Sequence, residues 1–414
     1  MPDSRVARGT RGLPLLAGSS FLLIGWAGLL VPSMVRSIEG SFAVSDAVLG
    51  AYYLVYSLAY AGGSILGGML TERVGRRSVL GAAGILLGTG LAVEGVFGAW
   101  LVFTLGGAVQ GLGAGAIDGG GNGLFLDLFP ADRSRPLLLL HLMFSIGALV
   151  APASIGALLG GGLAWQHVLV ATAAAAIVVG LLFLVVPAPS GRRIASRAVV
   201  RDAGRAGGPA AAPADPAPGR PRRSPIALPL ALLAAAIAFY VASEVGVSNW
   251  LVRYLAAVPL GVATGALSLF WAGLALGRLV SARVAHVLDP IRFTAAAAVA
   301  VTLAVTAAVA VPSVEASIAL FAVAGFASGP IYPMIVAIAG ERYPARAAAV
   351  AGLLGAAAVL GSVLYPPVMG LISVTLGLAP AMLGAGVLAL GAAGSVAWVG
   401  RLGRPRQTAE AMAG

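Results

Sequence analysis

The chain has 414 residues, of which 59% are hydrophobic and only 10% charged, with a formal net charge of +11 and no cysteine. So apolar a composition excludes a soluble globular protein with a polar surface; much of this chain must be solvated by lipid. The missing cysteines exclude disulfides, thiolate metal sites and a cysteine nucleophile.

Apolar runs near the roughly 20 residues needed to cross about 30 Å of hydrocarbon recur along the whole chain. Spans are expected at 14–35, 48–70, 79–98, 101–127, 137–160, 167–187, 226–250, 259–281, 293–311, 314–338, 347–373 and 377–400. Arg5, Arg8 and Arg11 ahead of the first run imitate a signal peptide. No small-residue cleavage site follows and further spans come at once, so the segment reads as a retained helix. Between spans 6 and 7, residues 188–225 are rich in Pro, Ala, Gly and Arg and read as a flexible cytoplasmic linker.

The chain repeats itself at one offset. Phe129-Pro130-Ala131, Gly147, Pro152 and Gly156 recur 214 residues later as Tyr343-Pro344-Ala345, Gly361, Pro366 and Gly370, and Gly115 and Gly329 keep the register. Six spans are therefore followed by six in the same orientation. The expected fold is an all-α membrane protein of twelve transmembrane helices in two pseudo-symmetric six-helix bundles, 1–187 and 226–400, with a cytoplasmic tail at 401–414. Parallel halves about an axis along the membrane normal, with a site between them near the midplane, are the build of many secondary transporters.

Charge sets the orientation. With the N-terminus cytoplasmic, 24 of the 26 basic residues, all arginine, fall in the tails and alternate loops of that side, leaving Arg36 and Arg253 opposite. This positive-inside bias predicts a multi-pass protein of the inner (cytoplasmic) membrane with both termini cytoplasmic. The excess charge then answers to lipid headgroups and topology, and no nucleic acid partner is expected. The partners expected are the bilayer, a small-molecule substrate and protons, in a monomer.

After span 2 the chain reads GMLTERVGRR, Gly68 to Arg77. This loop resembles one of the major facilitator superfamily, in which a glycine, a leucine, an acid, a glycine and a basic pair recur between helices 2 and 3. Gly68 is read as a close-packing position and Glu72 as a partner for a helix end or an arginine across the half-interface. Together with Arg73, Gly75, Arg76 and Arg77 they form a candidate conformational latch, against the plainer reading of the arginines as topology determinants.

A charge inside hydrocarbon costs at least about 2.5 kcal/mol by insertion scales, which makes each acid within a span a functional candidate. Asp118 lies near the midplane of span 4 in GAGAIDGGGN, with Asn122 on the same helix face and small residues that admit a neighbouring helix. A desolvated carboxyl exchanges protons nearer neutrality than a solvated one. Glu244, in YVASEVGVSNW of span 7, is the second candidate; Tyr240, Asn249 and Trp250 beside it supply the hydrogen-bonding edges and flat apolar face a sugar ring requires. Trp250 also fits an interfacial anchor. His141 at the start of span 5 is placed to relay protons or to hydrogen-bond a neighbouring helix. Tyr332 lies between Pro330 and Pro333 in span 10, and Pro152 and Pro366 occupy equivalent places in spans 5 and 11. Such prolines are tolerated where protein or a cavity covers the freed backbone, which suggests spans bent around a central path. Glu94 and Asp127 read as wetted helix-end charges.

These tracts resemble the fucose permease-like sugar:proton symporters of the superfamily. YVASEVGVSNWLVRY from Tyr240 is similar to that group's seventh helix, and GALSLFWAGLALGRLVSARV from Gly265 to its eighth. PIYPMIVAIAG from Pro330 is similar to the tenth, and PPVMGLIS from Pro366 to the eleventh. The resemblance implies proton-coupled uptake of a sugar or sugar-like solute, with Asp118 at the coupling carboxylate and His141 at a polar position. It departs in span 1, which carries Gly28 in place of an acid, in having Asp at 118 instead of Glu, and in having Glu at 244 instead of an amide. These departures argue against fucose itself. Export of a drug or metabolite is the alternative, followed by a membrane sensor without flux; no enzyme, cofactor or metal site is expected.

Overall fold

The computed structural model describes residues 12–129, 134–186, 228–284 and 287–402. The expected linker at 188–225, Arg5, Arg8, Arg11 and all of the expected tail beyond 402 lie outside them.

Among the described residues, twelve helices are long and apolar enough to cross a membrane. In chain order they are α1 (Gly12–Phe42, in two pieces, Gly12–Gly28 and Leu30–Phe42), α2 (Asp46–Val74), α3 (Arg76–Val96), α4 (Trp100–Leu128), α5 (Ser134–Gly160) and α6 (Trp165–Val185). The second half holds α7 (Leu228–Tyr254), α8 (Leu260–Val284), α9 (Pro290–Ala310), α10 (Val314–Arg342, in two pieces), α11 (Ala347–Leu376) and α12 (Leu378–Arg401). Side-chain caps start several of them: Ser45 accepts from the Val48 N–H, Asp289 from Arg292 and Ser313 from Ala316.

The 214-residue repeat is visible in the helix ends. α2 and α8, α3 and α9, and α4 and α10 start in that register, and Phe129 and Tyr343 close α4 and α10 with nearly the same backbone angles, φ −125°, ψ 61° and φ −130°, ψ 55°. Packing repeats with it. In the first half α2 lies on α4, α3 on α4 and α6, and α1 on α5; α8 on α10, α9 on α10 and α12, and α7 on α11 are their counterparts. The halves meet through α2 against α11, α5 against α8, and α1 against α7.

Glycines make the tightest of these contacts. Methyl groups at Gly111, Gly115 and Gly119 of α4 would strike the carbonyl oxygens of Tyr56, Tyr60 and Ser64 on α2. Gly325 and Gly329 of α10 meet Phe270 and Leu274 of α8 in the same way, each in the 214 register. Small residues at every fourth position let two backbones touch, which in lipid is a principal source of helix association.

The first helix departs furthest from expectation. The spacing predicts an end near residue 35, because Arg36 and Glu39 follow, yet α1 runs to Phe42 and both charges are paired across the halves. The helix also breaks at Leu29. Pro32 lacks an N–H and its ring crowds the carbonyl four residues back, at Gly28, and α10 breaks at Gly329–Pro330, four residues ahead of Pro333. Pro152 lies inside α5 without breaking it. There the Ser268 hydroxyl of α8 inserts into the opened ladder, accepting from the Ala153 N–H (3.0 Å) and donating to the Leu149 carbonyl (2.8 Å).

Candidate functional site

The glycine ladder between α2 and α4 sets the first half of the site. Because Gly115 and Gly119 bring α4 onto the α2 backbone, Asp118 meets Ser64, whose hydroxyl donates to Oδ2 at 3.4 Å, while Asn122 one turn along donates to Oδ1 at 3.0 Å. Tyr60 faces the same carboxyl, and the ring of His141 lies within electrostatic reach of it. His141 is exposed, edge-on to Phe21 at 5.6 Å, and among the described residues its ring makes no hydrogen bond.

The second half contributes Glu244, Tyr240, Tyr332 and Arg278. The Tyr240 hydroxyl donates to the Glu244 carboxylate one turn away, and the Arg278 guanidinium on α8 acts on both. Tyr332 lies within electrostatic reach of Asp118 in the first half and of Glu244 and Arg278 in the second, which relates the ionisable groups of the two halves. Asp118, Asn122, Glu244, Arg278 and Tyr332 are all half-buried, as are side chains that line a passage.

The seam between the halves is bonded at one end. Every hydrogen bond and ion pair that crosses between halves, among the described residues, lies in the half of the bundle away from the arginine-rich loops. Arg253 Nε sits 2.7 Å from Glu39 Oε2 and 3.0 Å from Asp46 Oδ1, and Ser373 donates to the other oxygen of Asp46. Arg36 Nη2 donates to the Ala256 and Val258 carbonyls, at 2.5 and 2.7 Å. Tyr53 donates to the Asn249 carbonyl at 3.2 Å, and Ser268 bridges to α5 as above.

Several sequence expectations change. Trp250 is 0% exposed and its indole N–H is spent on the Pro366 carbonyl (2.9 Å), with Tyr53 packed edge-on against it, so it belongs to the closed end and not to the pocket. Asn249 presents its carbonyl to Tyr53 there. Gly68 is not a tight-packing position: a methyl there meets nothing within 4 Å, and its neighbour Gly67 makes the close approach, to Ala116. Gly75 is required for its backbone, at φ +99°, a conformation side chains rarely adopt.

The candidate latch holds within one half. Arg76 pairs with Asp127 at 2.6 Å and donates to Thr71 at 3.1 Å, joining the start of α3 to the end of α4; Asp127 is thus an ion-pair partner and not merely a wetted end charge. Arg73 and Arg77 form no ion pair among the described residues, and the side chain of Glu72 lies outside them. Glu94 corrects the sequence reading outright. It is 0% exposed, accepts from Tyr52 at 2.6 Å, and its second oxygen has no partner.

Sequence reasoning missed Tyr60, Ser64 and Arg278. By charge alone Arg278 falls with the loop arginines, but it lies six residues inside the end of α8. Its signal was the repeat itself: Arg278 and Tyr332 stand 214 residues after Ser64 and Asp118.

Two related six-helix bundles with a few charged and hydroxyl-bearing side chains between them are the build of many secondary transporters. The chain belongs to the Major Facilitator Superfamily, whose sequence profile matches residues 15–317. Among curated proteins it is 29% identical over 126 residues to sodium-dependent glucose transporter 1 of Rattus norvegicus, covering 30% of this chain and 25% of that protein. It is 28% identical over 181 residues to the MFS-type transporter kojT of Aspergillus flavus, covering 42% of this chain and 31% of that protein. Among solved structures, a bacterial homologue of the human lysosomal transporter Spinster, inward-facing and occupied, superposes with TM-score 0.77 at 15% identity over 94% of this chain and 96% of that one. The inward-open xylose transporter XylE from E. coli gives TM-score 0.73 at 16% identity over 96% and 97%. At such identities the likeness is one of fold.

Proposed function

We propose that this protein moves a neutral, polyhydroxylated solute of sugar type across the cytoplasmic membrane together with a proton, by rocking its two bundles about the central passage. The observation that carries this reading is that Tyr332 lies within electrostatic reach both of Asp118, held by Ser64 and Asn122, and of Arg278 and Glu244, the latter bonded to Tyr240. Hydroxyl, amide and carboxylate edges with tyrosine rings suit a sugar. The similarity to a glucose transporter and the resemblance to sugar:proton symporters support the solute class.

The charge count supports a proton. Arg278 offsets Glu244, which leaves Asp118 as the unbalanced charge, and protonating it makes the loaded passage neutral and able to reorient cheaply. With the arginine-rich loops cytoplasmic, both termini lie inside, and the bonded end of the seam lies outside.

The test is uptake into proteoliposomes of a panel of labelled monosaccharides under an imposed pH gradient, with sodium-gradient and gradient-free arms. Accumulation of a sugar driven by the pH gradient is the expected result. Accumulation driven by sodium alone, as the name of the rat relative would suggest, overturns the proton, and an apolar drug as sole cargo overturns the solute class.

A further inference from the structure

Among the described residues, the basic side chains on the side away from the arginine-rich loops are Arg36 and Arg253, and both are used at the boundary between the halves. Arg36, from the first half, caps the Ala256 and Val258 carbonyls just beyond α7. Arg253, from the second half, reaches into a pair of acids from the first, Glu39 of α1 and Asp46 of α2. Ser373 of α11 holds the far side of Asp46, and the Gly370 backbone lies against the Asp46 carbonyl. The guanidinium thus joins α7 to α1 and α2, and Ser373 adds α11 through Asp46.

We propose that Arg253 is the bolt of a gate across this end of the passage, and that releasing Glu39 and Asp46 from it is the step that opens the end to the outside. The proposal rests on the alternating-access reading for its purpose, and the geometry supplies the mechanism. Glu39 and Asp46 are only 11% and 10% exposed, whereas Arg253 is 34% exposed, so the arginine is the member water reaches. Both acids belong to the first half and their cation to the second, so loss of Arg253 removes the ion pairing that crosses the seam and leaves two nearly buried acids without their counter-charge. Beneath the bolt, Tyr53, Trp250 and Pro366 form an apolar and backbone-bonded plug that opens along the same seam. Trp250 bonds within its own half, and Tyr53 crosses the seam by one hydrogen bond. The plug therefore separates without stranding a buried charge, and the ion cluster is the element that holds it shut.

The absence of cysteine allows a direct test with introduced labels. Gly98 and Pro312 are exposed, lie in equivalent loops 214 residues apart on the gated side, and Gly98 has open space where a side chain would go. Spin labels on Gly98→Cys/Pro312→Cys report the separation of the halves by pulsed dipolar spectroscopy, with no solute needed. In the parent the short distance dominates. Arg253→Gln and, independently, Glu39→Gln/Asp46→Asn are expected to raise the ratio of long to short distance about tenfold. The charge exchange Arg253→Glu/Asp46→Arg restores the short distance, and Arg283→Gln, at the other end, leaves it unchanged.

An unchanged distribution in both gate variants overturns the proposal. So does loss of uptake in Arg253→Gln with no change in distance, which would place the arginine in solute handling. A lengthened distance in a protein that moves no sugar leaves the gate standing while the solute reading falls.

Discussion

Arg278 stands in the second half where Ser64 stands in the first, each against the glycine of the partner helix, Gly329 and Gly115. The duplicated frame thus presents a hydroxyl to Asp118 on one side and a guanidinium to Glu244 on the other. One architecture, with one exchange, makes an acidic wall facing a charge-balanced one.

That exchange predicts a loss that size alone does not explain. Arg278→Gln leaves Glu244 without the cation facing it, and uptake per molecule should fall about tenfold or more, since an uncompensated buried charge is costly. Arg278→Lys keeps the charge but not the planar fork and should retain an intermediate rate. Initial uptake rates normalised to reconstituted protein decide it, and equal loss in both variants would show that charge is not what matters.

Asp118→Asn should abolish accumulation against a gradient while sparing exchange of solute between the two sides. The amide keeps its contact with Ser64 but carries no removable proton. Counterflow and pH-driven uptake measured on the same vesicles separate the two, and loss of both would make the residue a binding or structural group.

The glycines make a sharper stability prediction than the loop motif does. Gly115→Ala drives a methyl into the Tyr60 carbonyl and Ser64 nitrogen and should cost about 1–3 kcal/mol, whereas Gly68→Ala, with open space around it, should be near neutral. Unfolding in mixed micelles compares them, and equal costs would contradict the packing described.

Tyr52→Phe removes the hydrogen bond to a fully buried acid and should cost about 1–3 kcal/mol. Glu94→Gln keeps an acceptor for the Tyr52 hydroxyl and should cost less. The same unfolding assay ranks them. Neither residue is among the groups that converge on the passage, so affinity for solute should be unchanged in both.

The Ser268 contacts beside Pro152 give a fifth test. Ser268→Ala strands the Leu149 carbonyl and the Ala153 N–H at the α5–α8 contact, and a destabilisation of about 0.6–2 kcal/mol is expected. Ser268→Thr, which retains the hydroxyl, should recover most of it.

Length, hydropathy and the 214-residue repeat sufficed for twelve spans and two related bundles, because in lipid the backbone must bond within each span. The ends of α1 and the fates of Glu94, Trp250, Arg253 and Arg278 were decided only by the tertiary structure. For each of these the local sequence is compatible with several environments: an arginine near a helix end reads the same whether it faces headgroups, a passage or an acid of the other bundle. Which it meets depends on how two halves that share no contiguous sequence are pressed together. A one-dimensional pattern carries the period of each helix but not the partner on the far side of the seam.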